Sequence, residues 1–186
     1  MNKTQITGAA YSRGAIILHW LIAVLIVLNF VAAWISEDMP KEDAAQVMAN
    51  HKAIGLTILL LSVLRLVWRF VHKPPPLLES LKAWEAALAK VVHWLFYFLI
   101  IATPITGWGM ASAGRKGEPV SWFGIIDIPA LPVAHDRETA GIFHESHEVL
   151  ATLMIFLLVL HVAAALKHQF LDRDATMARM LPFLRR

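Results

Sequence analysis

The chain has 186 residues, of which 58% are hydrophobic and only 17% are Asp, Glu, Lys or Arg, too little polar surface to cover a soluble globule. Its net charge of +3 comes with no basic recognition helix or stacking motif, so nucleic acid is not expected as a partner. Cysteine is absent, which excludes disulfides, iron–sulfur clusters and thiolate-bound zinc and leaves nine histidines as the main candidate ligands.

A bilayer core of about 30 Å takes about 20 mostly apolar helical residues to cross. Four segments meet that requirement. The first runs from about Gly14 to Ile35, and the second from about His51 to Phe70, stopping before the breaker Pro74-Pro75-Pro76. The third covers about Val91 to Met110, where Pro104, Gly107 and Gly109 predict a bend or a close helix contact. The fourth covers about Val149 to Lys167. The first reads as a retained span, because it is long, lacks a small-residue cleavage site and precedes three comparable segments. Between the prolines and the third span, LLESLKAWEAALAKVV reads as an amphipathic helix lying on the membrane surface. The expected fold is all-α: one membrane domain over residues 1–186, built as an integral four-helix bundle.

Lysine and arginine in the connections orient it. The amino-terminal segment has Lys3 and Arg13, and the second connection has Arg69, Lys73, Lys82 and Lys90. The tail has Lys167, Arg173, Arg179, Arg185 and Arg186, whereas the first loop has only Lys41 and the long third loop only Arg115, Lys116 and Arg137. Both termini and the second loop are therefore expected in the cytoplasm. Trp34, Trp68, Trp108 and Trp122 fall near span ends, as an aromatic belt would.

This topology gives each histidine a depth. His19 lies about 7 Å below the cytoplasmic boundary, and His51 opens the second span on the outer side. His147 is at the outer end of the fourth span, and His161 is fourteen residues, or about 21 Å, deeper. Fourteen residues are close to four turns, so both imidazoles leave one helix face. The depths match His51 with His147 near the outer surface and His19 with His161 near the inner one. For a single histidine near a span end, an interfacial side chain reaching water is an adequate explanation. For all four, matched depth and matched face would have to coincide. Imidazoles approaching from opposite sides of a bundle are what a haem iron with two axial histidines requires. Arg65, fourteen residues after His51, faces the same way at the inner depth, where a haem propionate would offset the cost of an intramembrane guanidinium. Gly55 offers bare backbone one turn below His51.

Arg69 is better placed to snorkel, His93 reads as interfacial, and His72, His135 and His144 read as loop or boundary residues. His168, seven residues after His161, is placed to face the bundle at the cytoplasmic rim and touch a quinone head group. HESHE lacks the four-residue histidine spacing of a zinc protease. A metal transporter using intramembrane histidines would need acidic partners within the spans, and the helix interiors offer almost none.

Taken in order, YSRGAIILHW, NHKAIG with LRLVWR, the proline-rich break and SHEVLATLMIFLLVLHVAAALKH resemble the prokaryotic cytochrome b561 family of four-helix inner-membrane proteins, over nearly the whole chain. The resemblance implies two b-type haems, with His19, His51, His147 and His161 as axial ligands, and electron exchange with ubiquinone. Some members look like superoxide oxidases that pass electrons from superoxide outside to ubiquinone, while longer relatives serve as membrane subunits for dehydrogenases. One departure stands out: the outer loops carry Glu37, Asp38, Glu42, Asp43, Glu118, Asp127, Asp136, Glu138 and Glu145 against Lys41, Arg115, Lys116 and Arg137, a poor field for steering an anion. The electron donor is therefore expected to be superoxide or a redox protein on the periplasmic side.

Overall fold

A hydroxyl starts the first helix. Ser12 accepts a hydrogen bond from the Ala15 N–H and another, of 2.9 Å, from the Trp68 indole, which fastens the start of one span to the end of the next. In the computed structural model, which describes residues 10–78, 81–114 and 117–184, α1 is Arg13–Ser36 and α2 is Lys41–Val71. Pro40 stands at the N-cap of α2 and Glu42 and Asp43 lie in its first turn, where the helix dipole favours negative charge. Helix α3 is Ala83–Gly114 and α4 is Arg137–Lys167, the latter capped by Asp136 through the Thr139 N–H at 2.7 Å. That bond holds the Asp136 carboxyl below its ordinary range.

All four helices are long and apolar enough to cross a membrane. They also overrun the apolar segments. Helix α2 takes in much of the polar first loop, and α4 begins twelve residues before Val149. The amphipathic stretch expected as a separate surface helix is instead continuous with the third span from Ala83 on, because nothing between Ala83 and Val91 breaks the helical hydrogen-bond ladder.

The helices pack in chain order, α1 on α2, α2 on α3 and α3 on α4. Between the two histidine levels lies a core of Leu99, Ile100, Met154 and Leu157, with Ile26, Phe30 and Phe96 against it. Side chains such as Phe70, Phe156 and Leu160 face outward, as lipid-facing positions do. On the third loop, β1 (Val120–Trp122) pairs antiparallel with β2 (Ile126–Ile128), the turn using positive φ at Phe123 and Gly124. The Trp122 indole donates to Thr57 Oγ1 at 2.9 Å and so fixes this hairpin on α2.

Beyond α4 the chain makes a π turn, His168–Asp172, and reverses at Arg173, whose φ is 52°. The tail then folds back under the bundle. Trp20 Nε1 donates to the Met180 carbonyl at 2.9 Å, and the buried Arg179 donates to the Pro76 carbonyl at 2.6 Å.

Candidate functional site

Two pairs of imidazoles stand one above the other in the bundle. The His51 and His147 rings have centroids 6.3 Å apart, and His19 and His161 are separated by the same 6.3 Å. A metal–imidazole bond is about 2.0 Å and a ring centre lies about 1.1 Å behind its nitrogen, so two imidazoles on opposite sides of one ion have centroids roughly 6.2 Å apart. Among the described residues α4 makes at most marginal backbone contact with α1 and α2, so the histidines reach across gaps that a flat group can enter.

At the outer level both Nδ1 atoms are fixed by neighbouring helices. His51 Nδ1 lies 3.1 Å from the Asn29 carbonyl of α1, and His147 Nδ1 lies 2.8 Å from the Thr103 carbonyl of α3 and 3.2 Å from Thr106 Oγ1. A neutral imidazole donating its Nδ1–H to a carbonyl leaves the Nε2 lone pair for a metal. Gly107 makes room for this arrangement: a Cβ there would lie 3.0 Å from His147 Cε1. The cavity around the pair is lined by Asn29, Lys52, Gly55, Gly107, Trp108 and Val120, among others. A Cβ on Gly55 would meet nothing nearer than Asn29 Nδ2 at 3.9 Å, so that wall of the cavity is bare backbone.

The inner level is built differently. The His19 ring lies edge-on to Trp20, and His161 edge-on to Phe96, each at 5.3 Å. Arg65 is within electrostatic reach of both histidines. Its guanidinium lies 5.7 Å from the centre of the Tyr97 ring, and Arg69, expected to snorkel, lies 5.4 Å from the same ring and 5.5 Å from Trp94. The two aromatic rings of α3 hold the Arg69 side chain against the bundle. His93 is partly buried and within electrostatic reach of His161, Arg65 and Arg69.

Haem fits these residues on three counts. The donors are neutral-imidazole nitrogens at the right separation. Four polar atoms, His19 Nδ1, Asn29 Oδ1, Ser62 Oγ and Thr103 Oγ1, are buried without a partner, a cost that a polar-edged ligand or its waters would relieve. Two guanidiniums converge at the inner level, where propionates would neutralise them.

Of the other histidines, His72 stacks on Trp68 at 4.1 Å, His135 Nδ1 lies 3.2 Å from the Ser112 carbonyl, and exposed His144 pairs with Glu148 at 3.5 Å. His168 is partly buried, with Nδ1 at 2.7 Å from Asp174 Oδ2 and 3.1 Å from Asp172 Oδ2. Asp174, Lys52, Tyr97 and the Asn29 and Thr103 carbonyls escaped sequence reasoning. Asn29 left a faint signal, as the lone amide inside an apolar span.

A model of the prokaryotic cytochrome b561 family matches residues 10–183. The chain is 33% identical over 165 residues to "Cytochrome b561 homolog 2" of Escherichia coli strain K12, covering 88% of this chain and 86% of that protein. It is 29% identical over 174 residues to "Probable superoxide oxidase CybB" of Yersinia pestis, covering 92% and 96%, and 25% identical over 177 residues to "Cytochrome b562" of Cereibacter sphaeroides, covering 92% and 94%. The chain thus belongs to the prokaryotic cytochrome b561 family, whose members bind haem b, and is a multi-pass electron-transfer protein of the inner membrane.

Proposed function

We propose that this chain holds two b-type haems and carries single electrons from the periplasmic side to membrane ubiquinone, with superoxide as the donor. The observation that carries the reading is the recurrence of one histidine pair at two depths, with the same 6.3 Å separation. His51 and His147 would hold the outer haem and His19 and His161 the inner one, each bound group supplying a one-electron iron couple. Gly55 would leave the outer macrocycle room against α2, and Arg65 would neutralise a propionate at the inner level. With two histidines committed to each group, the chain would offer a substrate no open iron site, and electron transfer would be outer-sphere. His168, at the cytoplasmic rim, would meet the quinone head group.

Similarity to a probable superoxide oxidase supports the donor, and so does Lys52, a cation in the lining of the outer cavity. The acidic outer loops favour a second reading, in which a basic redox protein docks there and the chain is its electron-carrier subunit. Stopped-flow mixing of the oxidised protein with superoxide, with and without quinone, separates the two. Fast reduction of the haem absorption, followed by reoxidation only when quinone is present, is the expected result. Reduction no faster than the buffer control overturns the superoxide reading.

A further inference from the structure

The folded-back tail gives His168 a second feature. His168 follows His161 by seven residues, which places it within about 20° of the same helix face and about 10 Å nearer the cytoplasm. The left-handed turn at Arg173 then brings Asp174 beneath it, so that the Asp174 carboxylate accepts the His168 Nδ1–H at 2.7 Å. Both side chains are about 15% exposed, and Asp174 is itself fixed by the Thr176 N–H at 2.8 Å. Burial alone would raise the Asp174 carboxyl, but the bonds from Thr176 and His168 outweigh it and hold it below the carboxylate range, so the group is an anion at neutral pH.

From this geometry we infer that Asp174 is a positioning residue that makes His168 the proton donor for quinone reduction. The inference rests on the reading that quinone is reduced at the cytoplasmic rim. A carboxylate that accepts the Nδ1–H fixes the ring orientation and leaves Nε2 as the atom that takes a proton from cytoplasmic water and passes it on, while the carboxylate stays ionised and offsets the charge of the doubly protonated ring. Two electrons, arriving singly from the inner redox site, and two protons convert one quinone to one quinol, forming two O–H bonds. The Nε2–H of the doubly protonated His168 ring supplies one proton to the nearer carbonyl oxygen and leaves the neutral ring, which a proton from cytoplasmic water recharges, and the other carbonyl oxygen takes the second proton from cytoplasmic water.

The neighbouring charged groups lie on the Nδ1 side of the ring and leave Nε2 uncontested. Asp172, more exposed, lies 3.1 Å from His168 Nδ1 and 2.6 Å from Lys167 Nζ, and Lys167 reaches Glu85 of α3 at 3.4 Å. The Lys167 ammonium neutralises Asp172, which leaves the partly buried Asp174 as the carboxylate paired with the imidazole.

The test uses the purified, haem-loaded protein, reduced chemically and mixed with a short-chain ubiquinone or with ferricyanide, which accepts electrons without protons. Asp174→Asn is expected to slow reoxidation by quinone by about 100-fold at saturating quinone, the low end for general acid catalysis. Its KM should stay near that of the parent protein, and ferricyanide should reoxidise it at the parent rate. His168→Ala should lose at least as much, and Asp174→Glu should recover part of the rate. Unchanged quinone kinetics in Asp174→Asn, with His168→Ala impaired, would overturn the positioning role. Unchanged kinetics in both would show that protons enter elsewhere, and a parent protein that ferricyanide oxidises but quinone does not would remove the quinone reading itself. Equal slowing by both acceptors would identify Asp174 as structural.

Discussion

The two histidine pairs share one separation and differ in everything around them. At the outer pair, His51 and His147 each fix Nδ1 on a carbonyl from another helix, so four helices hold two rings. At the inner pair, His19 Nδ1 is buried without a partner, and orientation comes from Trp20 and Phe96 packing while Arg65, Arg69 and His93 crowd the level with cationic or protonatable groups. The contrast separates two means of tuning. A carbonyl on Nδ1 makes the imidazole a stronger donor, which favours the oxidised metal. Nearby guanidiniums favour the added electron. On the proposed reading, both effects would place the inner potential above the outer one and drive electrons inward.

The largest way to break the contrast is to remove an outer ligand. His147→Ala should abolish the outer haem and leave the inner, halving the haem-to-protein ratio in purified protein. Loss of the inner spectrum instead would contradict the pairing. Gly107→Val puts a branched side chain where even a Cβ would lie 3.0 Å from the His147 ring. It should lower outer-haem occupancy severalfold, measured by pyridine haemochrome, with the inner haem unaffected. Replacing Arg65 by Leu should lower the inner potential by on the order of 60 mV, about tenfold in the one-electron equilibrium, as read by redox titration. Arg69→Leu should shift it in the same direction by less. The smallest effect is expected from Trp122→Phe, which deletes the bond to Thr57. It should cost about 1 kcal/mol and appear as faster hydrogen exchange across residues 120–128, with both haem spectra intact.

Much of this architecture was legible in the sequence because a bilayer imposes length and hydropathy on each span. The spacing of His147 and His161 needs only helix periodicity, and the rings of His51 and His19 do stand opposite them. What could not be read depends on contacts with no local pattern. The carbonyls of Asn29 and Thr103 carry no sequence signature, since every residue has one. The rings of Trp94 and Tyr97 that flank Arg69 come from another helix, and its own helix carries no sign of them. Asp174 meets His168 only because a π turn and one left-handed residue reverse the chain, and neither Arg173 nor Asp174 belongs to any periodic run. The short hairpin was missed because three-residue strands carry too few alternations to read, and its position is set by one tryptophan on α2.

The central claim is that two depths of the bundle each hold one haem, with the higher potential inside. A spectroscopic redox titration of the purified protein, with haem quantified against protein and repeated on His147→Ala, tests it most directly. The account predicts two haems per chain and two resolved b-type transitions, of which the substitution removes the lower. One haem per chain, or loss of the higher transition on replacing His147, would contradict it.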